Sequence, residues 1–158
     1  MSDLPVDVIR SRKRTRTAQA YEVGGRLRVL IPAHLSAGEE AAIVEELVGK
    51  VTRKLSSKTV DLETRAREVA KKYGLPSPNN IVWSERQNSR WGSCSPRNGT
   101  IRISSRLASM PGWVLDWVLV HELAHLEIAN HGDRFKLLVS RYELAERAEG
   151  YLIAKAEG

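Results

Sequence analysis

The order of apolar and polar positions along the chain predicts a mixed α+β fold. Val6 to Arg10 reads as a short strand. The runs Thr17 to Val23 and Arg26 to Ile31 flank Gly24-Gly25, and a two-residue Gly-Gly link between such runs predicts a β-hairpin, closed by Pro32. The period then lengthens. Ala41, Ile43, Val44, Leu47, Val48, Val51 and Leu55 recur at helical spacing behind Ser36 and Glu39, which make a capping-box pattern. A second helix is expected from Val60 to Tyr73, stopped by Gly74 and Pro76.

From Asn80 the chain returns to short strands. Ile81 to Arg86, Ser89 to Ser95 and Thr100 to Ser104 each read as one, the last two separated by a turn containing Pro96, Asn98 and Gly99. Tight links between them predict an antiparallel meander. After Pro111-Gly112, the apolar run Trp113 to Val120 opens a long helix expected to reach Asn130. A last helix, opened by Asp133, is expected to run to Glu149, with Phe135, Leu138, Val139 and Tyr142 packing it against its predecessor. There is no internal repeat and no low-complexity segment. The expectation is one domain over 1–158, with hairpin and helices in 1–76 and a second block in 80–150.

Composition narrows the class. A length of 158 residues suits a single core, and 42% hydrophobic with 28% charged residues is the balance of a globular rather than a disordered chain. No apolar run approaches the roughly 20 residues that span a bilayer. The N-terminus lacks a basic segment followed by an apolar one, so no secretory leader is expected. The single cysteine, Cys94, excludes an internal disulfide, and a cytoplasmic location is expected. A net charge of +6 makes nucleic acid a partner to weigh. The charge gathers at Arg10, Arg12, Lys13, Arg14 and Arg16. Few aromatic residues interleave there, so a solvated face is favoured over a nucleic-acid surface.

The candidate chemistry lies in Val118 to Phe135, which holds three of the four histidines, His121, His125 and His131, with Glu122 beside the first. His121-Glu122-x-x-His125 is an H-E-x-x-H pattern. On a helix, residues four apart lie roughly 40° apart on one face and about 6 Å along the axis, so both imidazoles can reach one ion. Imidazole nitrogen suits zinc, and a catalytic zinc keeps three protein ligands with a fourth position open. Glu122 then stands beside the metal, placed to move a proton between water and a leaving amine. His131 is the third candidate ligand. In an unbroken helix it would sit about 120° off the ligand face, so the chain must turn first. Asn130 and Gly132 flank it, both tolerant of the left-handed conformation, and a helix stop near Asn130 is expected. The alternative is three polar residues capping a helix end. Against it, an apolar run leads straight into the motif, and burying His and Glu there is costly unless something pairs with them.

Together, R-W-G-S-C-S at Arg90 to Ser95, H-E-L-A-H-L at His121 to Leu126, Asn130-His131 and Phe135 four residues on resemble the YgjP-like metallopeptidase family. That family is a small relative of the zincin peptidases, with kinship to SprT-like and WLM-type metalloproteases. The resemblance covers Ile81 to Tyr142 most strongly. It implies a small zincin-like, minigluzincin-type α+β domain with an antiparallel sheet packed on the active-site helix. It implies that His121, His125 and His131 hold Zn2+, that Glu122 is the catalytic base, and that the R-W-G-S-C-S strand lines the cleft. In zincins an edge strand pairs with an extended substrate; the sequence leaves open which strand that is. The chain departs from the family pattern at Gly132, Lys136 and Ser104, which stand where Ser, Trp and Asn are common, and at Asp116-Trp117, where Asp-Tyr is common.

The expected function is a zinc-dependent metallopeptidase that hydrolyses peptide bonds with a metal-activated water. Its partners would be peptide or protein substrates, with no membrane. Arg90 and Trp91 are candidates for substrate binding, and Tyr142 for stabilising the oxyanion. Cys94 reads as a small buried hydrophobe before a ligand or nucleophile. Asp133 is a helix cap or an orienting partner of a ligand histidine, and His34 an ordinary surface histidine. The alternatives are a SprT-like nucleic-acid-associated protease using the Arg10–Arg16 cluster, or a non-catalytic zinc or nucleic-acid-binding module. The absence of a fourth Cys or His at structural-site spacing weighs against the latter.

Overall fold

A computed structural model describes residues 4–157. The chain gathers into two compact units, Met1–Ser56 and Ser57–Gly158. The first contains strands β1 (Val6–Ser11), β2 (Gln19–Val23) and β3 (Arg26–Pro32) and most of helix α1 (Ala37–Thr59). β2 and β3 form the expected antiparallel hairpin, and β1 pairs with the other side of β3 in parallel, giving the order β1-β3-β2. Gly24 and Gly25 make the turn at φ 57° and 74°. A β-hairpin turn of two residues with positive φ matches the right-handed strand twist, and glycine adopts it without steric cost. The capping box also forms: the Ser36 N–H donates to the Glu39 carboxylate at 2.8 Å, and the Glu39 N–H donates to Ser36 Oγ at 3.2 Å.

The second unit begins with helix α2 (Leu62–Tyr73), capped by Asp61 and ended at Gly74. Strands β4 (Asn80–Ser84), β5 (Gly92–Ser95) and β6 (Thr100–Ser104) follow, then a short 3-10 turn over Ser105–Ser109. Helices α3 (Gly112–His125), α4 (Asp133–Val139) and α5 (Ala145–Glu157) complete it. Among the described residues, no helix is long and apolar enough to cross a membrane.

The structure corrects the expected meander. β6, not β5, is the central strand: β4 pairs with it in parallel and β5 antiparallel, so the sheet is mixed, in the order β4-β6-β5. The reason lies in the link between β4 and β5. Residues 85–91 are too many for a tight hairpin. They are enough to carry the chain across two strand spacings of about 4.8 Å each, past the end of β6. β5 thereby becomes an edge strand.

α3 is the core of this unit. Nine of its residues are buried, including Val114, Leu119, Val120 and Leu123, which are essentially inaccessible. A helix that is apolar all round must be covered all round, and here β6 supplies Ile101 and Ile103, α2 supplies Ala66 and Val69, and α5 supplies Ala148 and Leu152 to the same core. A half-buried ion pair, Arg65 on Asp116 with contacts of 2.7 and 3.1 Å, ties α2 to α3.

Two helix ends differ from the expected ones. α3 stops at His125, five residues before Asn130, and among the described residues no non-glycine residue has positive φ; Gly132 has φ −73°. The bend is made instead by turns at Leu126 and Glu127, and the Gly132 N–H donates to Asn130 Oδ1 at 3.0 Å. The expected last helix is two helices, α4 and α5. At Arg141 and Tyr142 the backbone tightens to bonds spanning three residues, and Ser140 Oγ donates back to the Leu137 carbonyl at 2.6 Å.

Candidate active site

The end of α3 and the turn after it bring three imidazoles to one point. His125 Nε2 lies 3.2 Å from His121 Nε2 and 3.0 Å from His131 Nε2, and the third separation is 3.4 Å. A tetrahedral zinc holding nitrogens at about 2.0–2.1 Å spaces them about 3.3 Å apart. Three ring nitrogens so close, with one N–H at most on each neutral ring, fit a shared cation better than one another. His121, His125 and His131 are the cluster of metal-capable side chains among the described residues.

Second contacts orient these rings. His125 Nδ1–H donates to the Ile128 carbonyl at 3.0 Å, which leaves its Nε2 lone pair directed at the cluster. Phe135 of α4, 3% exposed, packs its ring 5.0, 4.4 and 4.9 Å from those of His121, His125 and His131. Trp117 meets His121 edge-on at 5.9 Å. Burial, then the neighbouring imidazoles, holds His121 down to about 4, so at neutral pH a metal need not displace a proton from it.

Glu122 is 7% exposed, and burial pushes its carboxyl up to about 7, with the Arg90 cation acting against that rise. Its position depends on Gly92, the first residue of β5. A Cβ there would lie 3.0 Å from Glu122 Cγ, 3.1 Å from its Oε1 and 3.2 Å from a Val118 methyl. Glycine lets the strand approach α3 closely enough to cover the carboxylate.

The imidazoles and Glu122 open into a cleft of about 840 Å³. Arg90, Trp91 and the edge strand β5 form one side; Leu152 and Ile153 of α5 also line it. Cys94 is on this wall, half-buried, its thiol pushed up to about 11 by burial and by Glu122. It is not in the imidazole cluster. Tyr142 requires a correction. It is 4% exposed, and its hydroxyl donates to the Trp113 carbonyl at the start of α3, so it faces the core and not the cleft. Asp133 stands in the first turn of α4, behind Gly132 as cap, and the acceptor that orients the His125 ring is the Ile128 carbonyl instead. His34 is exposed. In the basic cluster, Arg10 pairs with Glu40 and donates to the Ala33 and Leu35 carbonyls, and Arg14 donates to Thr17 and Gln19.

Sequence reasoning missed Gly92 as the seat of Glu122, Phe135 as the common backing of the imidazoles, and the Ile128 carbonyl. A glycine inside a strand pattern was the available signal for the first. The aromatic four residues past His131 was the signal for the second.

An apolar-cored α+β unit with three clustered imidazoles and a buried glutamate in a cleft has the side chains that metal-dependent hydrolysis uses. The family model described as the YgjP-like, metallopeptidase domain matches residues 25–144, and the chain belongs to that family. Two solved structures share the fold: the metallopeptidase zymogens of Pyrococcus abyssi abylysin and of Methanocaldococcus jannaschii jannalysin. The first is 22% identical with a TM-score of 0.53, over 59% of this chain and 92% of the other. The second is 22% identical with a TM-score of 0.53, over 61% of this chain and 97% of the other. No curated protein matches the chain.

Proposed function

We propose that the cleft is a zinc peptidase centre in which His121, His125 and His131 hold the metal and Glu122 is the general base. The observation that carries this reading is the approach of three ring nitrogens to within 3.4 Å of one another, one residue from a buried carboxylate. Three imidazoles without an oxygen-rich cage favour zinc over magnesium or calcium. When bound, the ion supplies Lewis acidity to the scissile carbonyl and to water.

The remaining work falls to the chain. Glu122, covered by Gly92 and raised toward neutrality by burial, takes the proton from the attacking water and returns it to the leaving nitrogen. β5 is a sheet edge that lines the cleft, and its unpaired backbone groups can receive an extended peptide as an added strand. Arg90 offers charged donors to a bound substrate, and Trp91 offers an apolar face to a substrate side chain.

The test is metal analysis and a peptide-library cleavage screen on the full chain and its Glu122→Gln variant. The variant is expected to keep its zinc and to lose turnover by about 10²–10⁴-fold. Unchanged turnover would remove Glu122 from the mechanism.

A further inference from the structure

The crossover of residues 85–91 has no regular secondary structure, yet it ends in two residues that line the cleft, Arg90 and Trp91. Its carbonyls converge on a residue the proposed chemistry does not use. Arg106, in the 3-10 turn after β6, donates through Nη2 to the Gln87 carbonyl at 2.8 Å and to the Arg90 carbonyl at 2.9 Å. Its Nε donates to Ser104 Oγ at 3.0 Å, and its guanidinium carbon lies 4.0 Å from the centroid of the Trp91 ring. Ser104, 1% exposed, repeats the hold: its Oγ donates to the Gln87 carbonyl at 3.3 Å, and its N–H to the Trp91 carbonyl at 2.9 Å.

We infer that Arg106 is a positioning residue for substrate: its guanidinium clamps the 85–91 crossover onto β6 and so fixes Arg90 and Trp91 in the cleft lining. The inference rests on the peptidase reading above. Only a planar, multiply donating cation can serve two carbonyls and a hydroxyl while stacking on an indole; the point charge of lysine cannot hold all of them. Because Arg106 holds the crossover through its carbonyls, its loss should weaken substrate capture and leave the metal in place.

Arg106→Ala and Arg106→Lys test this in the full chain. Hydrogen exchange on the metal-free protein is read first. Amides of residues 86–93 should exchange at least about tenfold faster in the alanine variant, with α3 unchanged, and the lysine variant should fall between. In the zinc-loaded proteins, KM for a cleaved peptide should rise about tenfold while kcat stays within about twofold and zinc content is unaltered. The lysine variant keeps the proposal testable if the alanine variant does not fold. Unchanged exchange over 86–93 would overturn the clamp. So would melting temperature and zinc content falling together with KM unmoved, the pattern of a merely structural role. A wild-type chain that cleaves no peptide would count against the peptidase reading alone, the clamp then being judged by exchange.

Discussion

The two sheets of this protein share one plan and differ in what it is used for. In each, the first strand runs parallel to the third, the second runs antiparallel to it, and the third is central. In each, seven residues, 12–18 or 85–91, carry the chain from the first strand to the far edge. In the first unit that crossover bears Arg12, Lys13, Arg14 and Arg16, held locally through Thr17 and Gln19. In the second it is clamped by Arg106, and the edge strand it leads to lies against α3, the helix that carries His121, Glu122 and His125. Topology alone therefore assigns no chemistry. What distinguishes the second sheet is a largely buried apolar helix beside it and a glycine that lets the two meet.

Matched substitutions can break this comparison. The largest effects are expected from truncating the central strands. Ile31 in β3 and Ile103 in β6 are both fully buried, and each change to Ala should cost about 2–5 kcal/mol in denaturant unfolding. Ile103→Ala should also depress peptide cleavage and Ile31→Ala should not, since β6 shares a core with α3. Equal losses of cleavage would mean that both sheets support the site.

Gly92→Ala comes next. The added methyl would press on Glu122 and Val118 from 3.0–3.2 Å, so the carboxylate must give slightly, and turnover should fall by less than the roughly hundredfold that a displacement of about 1 Å can cost. Zinc content should not change. Wild-type kinetics in this variant would show that the strand can retreat without moving the carboxylate.

A smaller effect is expected on the pH dependence of stability in the metal-free chain. Burial raises Glu122 from 4.5 to about 7, so the folded state binds the proton more tightly than the unfolded state. Its contribution is present below pH 4.5 and lost as pH rises through about 7, so wild type should weaken relative to Glu122→Gln over that window. Parallel stability curves for the two proteins would place the carboxylate in a wetter setting. The smallest effect should come from the other crossover: Arg12→Ser with Lys13→Ser should change stability by no more than about 0.5 kcal/mol and leave cleavage untouched.

Much of this was legible from local pattern. The Gly24-Gly25 hairpin, the Ser36–Glu39 capping box and the apolar approach to His121 are short-range features, and each formed. Taking His131 as the third ligand required the chain to turn before it, and the ring does meet the other two, although the turn falls at Leu126 and not at Asn130. What pattern could not convey is tertiary. Strand order in the second sheet depends on where a seven-residue link crosses, which period and propensity do not encode. Tyr142 was misplaced because a helical repeat does not say which neighbour a hydroxyl will find; here it is the Trp113 carbonyl. Arg106 was passed over because one arginine after a strand has no sequence signature of the two carbonyls it will meet.

The convergence of His121, His125 and His131 is tested most directly by zinc-edge X-ray absorption on the loaded full chain, beside His131→Ala. One zinc per chain with three imidazole nitrogens at about 2.0–2.1 Å is expected, with most of the metal lost from the variant. A sulfur neighbour from Cys94, or full zinc occupancy after His131→Ala, would contradict it.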